Sequence, residues 1–287
     1  ITQLVRHYYG KAYPVTAPIY ADYYLSLEDK AQKAMLNPYS GIGEAASSYL
    51  DGAALDAFWH KLDGGKGKAV DTERRNINEM LTALAFTRLE LLRLKPTAPS
   101  AATKGELLSL LSAHTAFKDL ANYRESFGEV DGYISEWRTS LPWLAGNGNK
   151  LRGATLTSTT KLDPEYADLS VLTDGKAGFA SDYHTGWLLN SAPQVVFVVP
   201  QGKLSGNSTL RLTFLQAPQW HIYAPSLVEV WQGGKLAGKA VPVAKDGRNE
   251  VKVVASGLSG SAPVEIRINK AERSGRATIA VDEIEGL

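Results

Sequence analysis

The chain of 287 residues contains no cysteine, only two methionines and no excess charge of either sign. Without cysteine there can be no disulfide, no zinc–thiolate centre and no thiol nucleophile. Its 31 basic and 30 acidic side chains leave a net charge of +1, which gives no electrostatic reason to bind nucleic acid or an anionic membrane. Long apolar runs are also lacking. Val195–Val199 is among the longest, far short of the roughly 18–20 residues of a membrane span. Neither an internal repeat nor a low-complexity tract is present. The chain opens at Ile1 with no initiator methionine and no signal-peptide pattern. It reads as a processed chain or the C-terminal part of something longer, and a secreted, periplasmic or cell-surface location is the expectation.

The remainder has the composition of a folded protein, with 44% hydrophobic and 21% charged residues, and enough chain for two domains. Residues 1–148 read as helical, with about five helices expected in a bundle. Ala17–Met35 places Ile19, Tyr23, Leu27 and Ala31 at helical spacing. Asp51 can cap a helix carrying Trp59 and Leu62, which Gly64–Gly65 would end. Asp71–Leu94 carries Ile77, Leu81, Leu84, Leu91 and Leu94 on one stripe, and Lys95–Pro96 stops it. Thr103 and Glu106 have capping-box spacing. Asp131–Leu144 presents Ile134, Trp137 and Leu141 on one face, with Pro142 disturbing its end. Asp119, Glu125, Glu129 and Asp131 read as a solvated helix-end region.

After Gly146–Asn149 the period becomes two, and residues 149–287 read as an antiparallel jelly-roll β-sandwich. Alternation marks Ala154–Thr159, Leu210–Phe214, Leu227–Trp231, Val251–Val254 and Val264–Ile268. Val195–Val199 is continuous and suggests a strand covered on both faces. Gly233–Gly234 has the form of a two-residue hairpin turn.

Leu172-Thr173-Asp174-Gly175, followed by Thr185-Gly186-Trp187, resembles the opening signature of galactose-binding-like β-sandwiches, the discoidin type and its carbohydrate-binding relatives on bacterial glycoside hydrolases. Val264–Ile268 and Ile279-Ala280-Val281-Asp282-Glu283-Ile284 resemble the last two strands of that family. The resemblance covers about residues 152–287. It implies a structural calcium held by the carboxylates of Asp174 and Glu283, with Thr185 adding oxygen and backbone carbonyls completing the six to eight ligands calcium takes. Thr185 lies eleven positions after Asp174, a longer loop than the family pattern. The competing reading is that Asp174 caps its turn and Glu283 pairs with a base such as Arg267. Trp187 is expected in the core.

More distantly, His7-Tyr8-Tyr9-Gly10-Lys11-Ala12 with Tyr20–Tyr24, and Thr87–Arg93, resemble the segment after the catalytic barrel in family 20-like and α-glucuronidase-like glycoside hydrolases. That implies an upstream catalytic domain in the same polypeptide, with this chain as its accessory region.

Gln219-Trp220-His221-Ile222-Tyr223, between Pro218 and Pro225, and Tyr183–His184 before Trp187 are the candidate glycan-binding residues. Sugar rings stack their C–H faces on aromatics, and their hydroxyls bond polar neighbours. The same rings can instead fill the sandwich edge, and the N-terminal tyrosines are expected to pack helices. No catalytic residue is assigned. A Gly-x-Ser-x-Gly elbow is missing, Gly64–Lys68 lacks P-loop spacing, and His7, His60, His114, His184 and His221 form no HxxxH pair. Adjacent carboxylates such as Asp282–Glu283 point apart on a strand. The expected function is therefore non-catalytic carbohydrate recognition. The alternatives are a purely structural or protein-interaction module, or a helical part that contributes to a glycoside hydrolase active site.

Overall fold

A computed structural model describes residues 1–34, 42–115, 130–139, 148–272 and 276–287. Met35, Asp119, Glu125, Glu129, Leu141, Pro142, Leu144, Gly146 and Asn147 lie outside the described residues. The chain divides into two units, Ile1–Tyr123 and Arg124–Leu287.

The first unit is helical: α1 (Thr2–Ala12), α2 (Ala17–Lys33), α3 (Ile42–Ser48), α4 (Gly52–Gly65), α5 (Asp71–Leu94) and α6 (Ala101–Thr115). With α7 (Val130–Thr139) in the second unit, the described residues hold seven α-helices, more than the five expected. Asp51 caps α4 as its sequence position suggests, accepting the amides of Ala53 and Ala54 at 2.9 and 3.2 Å. In α5 the stripe Ile77, Leu81 and Leu84 is buried against Leu55, Phe58, Trp59 and Leu62 of α4, whereas Leu94, at the helix end, is exposed. The start of α6 differs from expectation. Ser100 makes the cap, its hydroxyl accepting the Thr103 amide at 3.1 Å, one turn before the expected box.

Two long-range features complete this unit. The buried Glu73 carboxylate of α5 accepts the amides of Val15 and Thr16 and the Thr16 hydroxyl, at 3.1, 2.8 and 2.7 Å. It thus supplies from another helix the N-terminal cap that α2 lacks in its own sequence. The tyrosines pack helices as expected: Tyr9 stacks on Tyr20 and Tyr24 at 5.3 and 5.8 Å, and Tyr23 on Phe58 at 4.1 Å.

The second unit is an antiparallel sandwich. Its strands are β1 (Thr157–Ser158), β2 (Leu188–Asn190), β3 (Gln194–Val199), β4 (Gly206–Gln216), β5 (Leu227–Gln232), β6 (Lys235–Ala240), β7 (Gly247–Leu258), β8 (Val264–Asn269) and β9 (Ile279–Gly286). One sheet has the order β1-β3-β8-β5-β6 and the other β2-β9-β4-β7. Inward residues of both, including Val195, Phe197, Val230 and Ile266 from the first and Leu210, Leu212, Phe214 and Val253 from the second, form one apolar core. The all-α then all-β order expected from the change of period is the order observed. The β5–β6 hairpin turns on Gly233 and Gly234, with φ of 57° and 74°, the positive pair a type I′ turn demands. Two strand expectations change. Ala154–Thr159 contributes only the two-residue β1, and β3 alternates buried with half-buried positions, so one of its faces is core and the other is not.

The helix α7 packs within this unit. Tyr133 and Trp137 meet Phe179 edge-on at 5.7 and 6.4 Å, and Glu136 accepts the Ser181 amide at 3.1 Å.

Candidate functional site

The first and last strands of the second sheet lie side by side, β2 pairing β9 through Leu188–Val281 and Asn190–Ile279. This register brings the loop of residues 173–187 over the acidic end of the chain. Gly175 has φ +74°, a conformation open to glycine, and points its amide at Glu283 Oε2, 3.1 Å away. Asn149 Nδ2 reaches Glu283 Oε1 at 3.4 Å. Three residues further along the loop, the Gly178 amide donates to Asp282 Oδ2 at 2.8 Å. Asp282 Oδ1 is buried without a protein partner. Asp174 closes its own turn, accepting the Lys176 amide at 2.8 Å, and its other oxygen lies 3.7 Å from Lys176 Nζ.

Electrostatics follow from this packing. Burial, above all, with the neighbouring charges of Asp282, Asp174 and Glu285, pushes the Glu283 carboxyl up to about 9 against the pull of the Gly175 amide. Asp282 is also raised well above the ordinary carboxylate range, first by burial. Both side chains are buried, each residue 1% exposed, so neither can meet a substrate as one of a glycosidase pair.

The sequence expectation for calcium named Asp174, Glu283 and Thr185. The loop brings the first two together around Gly175, and their mutual repulsion is the charge pattern a cation relieves. Thr185 is engaged elsewhere, its hydroxyl donating to Asp182 Oδ2 at 2.9 Å. Among the described residues no group of three or more His, Cys, Asp or Glu side chains is arranged to hold a metal ion. Arg267, the expected partner of Glu283 in the metal-free reading, instead bonds Glu265 on its own strand at 2.6 Å and stacks over Trp231 at 4.4 Å.

Trp187 anchors the loop from inside. It is buried, and its indole N–H donates to the Phe179 carbonyl at 2.8 Å. Between the buried Asp182 and Thr185 of the same loop, Tyr183 and His184 reach outward. Tyr183 and His184 lie ring on ring, centroids 4.0 Å apart, and Tyr183 leans on Trp220 at 5.2 Å. Trp220 ends the 3-10 turn Pro218–Trp220, which His221 closes in a left-handed conformation, φ 57°, its amide bonded to the Pro218 carbonyl. A non-glycine residue in that region is uncommon and accompanies a backbone fixed by its surroundings. Here the clamp is the Thr278 amide bonded to the His221 carbonyl at 2.9 Å.

Of the five residues expected to bind glycan, Tyr183, His184 and Trp220 form this one array. His221 is exposed beside it, and Tyr223 is half-buried, its amide held by the Thr278 carbonyl. The residue missed in sequence is Tyr166. Its hydroxyl lies 3.1 Å from His184 Nδ1, with the two rings 6.3 Å apart and 29° from parallel. Tyr166 sits in the 3-10 turn Pro164–Tyr166, where no period marks it.

No protein-family model matches the chain, and no curated protein does. Among solved structures it is similar to chitosan-binding module 1 derived from a chitosanase/glucanase of Paenibacillus sp. IK-5, at 14% identity and a TM-score of 0.30, over 48% of this chain and 98% of that one. It is also similar to the lectin domain of lectinolysin complexed with Lewis B antigen, at 15% identity and 0.36, over 48% and 95%. A family GH115 4-O-methyl-α-glucuronidase with specificity for decorated arabinogalactans aligns at 12% identity and 0.32, over 98% of this chain and 41% of its own.

Proposed function

We propose that the second unit is a non-catalytic carbohydrate-recognition module. The chain would then be the accessory region of a secreted, periplasmic or cell-surface glycan-degrading protein whose catalytic domain lies upstream in the same polypeptide. The observation that carries the recognition reading is the array Tyr183–His184–Trp220, which is carried on loops and only partly buried, with His184 exposed. Aromatic faces next to imidazole and amide groups are the combination that sugar rings use.

The test is a glycan array and titration calorimetry on the full chain, with Trp220→Ala and Tyr183→Ala. Binding that both substitutions weaken supports the site. Binding that survives both removes it, and no binding to any glycan favours a structural or protein-interaction module.

The proposal includes a structural calcium at the β2–β9 end, with Asp174 and Glu283 as its carboxylate ligands and backbone carbonyls for the rest. Bound there, the ion would neutralise the repulsion among the clustered carboxylates. A melting temperature that falls on adding EDTA and returns with calcium supports it. A melting temperature indifferent to EDTA, with Asp174→Ala neutral, removes it.

A further inference from the structure

We infer that Tyr166 and His184 form one plate that takes two consecutive sugar units, so that the ligand is an oligosaccharide chain and not a single terminal sugar. This rests on the carbohydrate reading of the array and adds to it both a ligand class and a binding residue, Tyr166.

The hydrogen-bonding direction of an imidazole nitrogen lies in its ring plane, and a phenolic O–H lies close to its own ring plane. A bond of 3.1 Å between Tyr166 Oη and His184 Nδ1 therefore joins the rings rim to rim. The centroid separation of 6.3 Å is near what two rings joined through that hydroxyl require, and the 29° between planes leaves their faces turned in nearly the same direction. Two rings placed side by side give a flat surface about twice the width of one.

The plate has an inside and an outside. Tyr183 lies 4.0 Å from His184 and packs against the buried cluster of Trp187, Leu215 and Ile222, so it backs His184 from the protein side. His184 itself is exposed, so part of its ring surface is within reach of a ligand. Tyr166 packs against the same cluster but stays half-exposed. The neighbouring His184 fixes its ring orientation, which lowers the entropy lost on stacking. One pyranose face on each ring is the occupancy this surface fits. A lone sugar would use only half of it.

The experiment is calorimetry of the full chain against linear chitosan, xylan and cellulose oligosaccharides of one to four units. In at least one series the affinity is expected to rise about tenfold from one unit to two, the scale of one added aromatic stack. Tyr166→Ala is expected to abolish that rise, and Tyr166→Phe, which keeps the ring and gives up only the bond to His184, is expected to retain most of it. Equal affinity for one unit and two, or a rise that survives in Tyr166→Ala, overturns the inference and leaves the carbohydrate reading standing. No binding to any series or to a wider glycan array overturns both. Should Tyr166→Ala fail to fold, the Tyr166 ring resonances of the unmodified protein decide. They are expected to shift with the disaccharide and not with the monosaccharide, and a shift with both or with neither overturns the inference.

Discussion

Asp282 on the last strand and Gly178 in the loop before Trp187 are hydrogen-bonded at 2.8 Å, although 104 positions separate them in the chain. The bond ties the end of the sandwich to the loop whose outer residues are Tyr183 and His184. The stability of the buried acidic end and the shape of the aromatic array are therefore linked through one short stretch of backbone.

Removing the Asp282 side chain leaves the buried Gly178 amide without its acceptor. Asp282→Ala is expected to destabilise the second unit by about 1–3 kcal/mol, the cost of an unsatisfied buried donor. Asp282→Asn keeps an acceptor for Gly178 and, like the neutral acid that burial favours, offers a donor at the position of Oδ1. It is expected to be neutral or stabilising. Urea denaturation of the two variants checks this, and equal losses would mean that the acceptor offered to Gly178 is not what the side chain contributes.

The Glu283 carboxyl is pushed from an ordinary 4.5 to about 9 in the folded protein. The folded state therefore holds a proton that the unfolded chain releases. Stability from this group is fully present below about pH 4.5 and is lost progressively as pH rises to about 9. Asp282 shifts in the same direction. In EDTA, the second unit is expected to melt higher at pH 5 than at pH 8.5, and Glu283→Gln is expected to flatten the profile. A Glu283→Gln profile parallel to the parent would place the pH dependence elsewhere.

What was legible in the sequence followed from local rules. The stripe of α5 and the Asp51 cap of α4 depend on residues within a few positions of one another. The β5–β6 hairpin depends on two glycines. Tertiary pairing was not legible. An amphipathic pattern shows that Trp137 faces something apolar, but not that Phe179 of the sandwich is the partner. Tyr183, His184 and Trp220 were nameable as loop aromatics, yet their contact requires β2, β4 and β9 to be in register. Tyr166 had no periodic context, and only its approach to His184 reveals it.

Glu73 is another case that sequence spacing cannot show. It lies 57 positions from Thr16 and accepts that residue's amide and hydroxyl. Glu73→Ala strips the N-terminus of α2 of its cap and is expected to cost the first unit about 2–3 kcal/mol, as for a buried charge-assisted hydrogen bond. Glu73→Gln keeps an acceptor and is expected to cost less. Hydrogen exchange locates the effect: the amides of Val15 and Thr16 should lose protection first. Unchanged protection there, with stability still lost, would assign the cost to α5 itself.

Gly178 tests how closely the loop is fitted to Trp187. A Cβ at this position would sit 2.5 Å from Trp187 Cε2, well inside contact distance. The indole cannot swing away without giving up its hydrogen bond to the Phe179 carbonyl. Gly178→Ala is therefore expected to destabilise the second unit by about 1–3 kcal/mol, the usual cost of overpacking a filled core. The near-ultraviolet circular dichroism of tryptophan should change with it. Because Tyr183 and His184 are carried by the same loop, glycan affinity is expected to fall in this variant even at temperatures where it is fully folded. A folded Gly178→Ala with unaltered affinity would show that the array is positioned independently of Trp187.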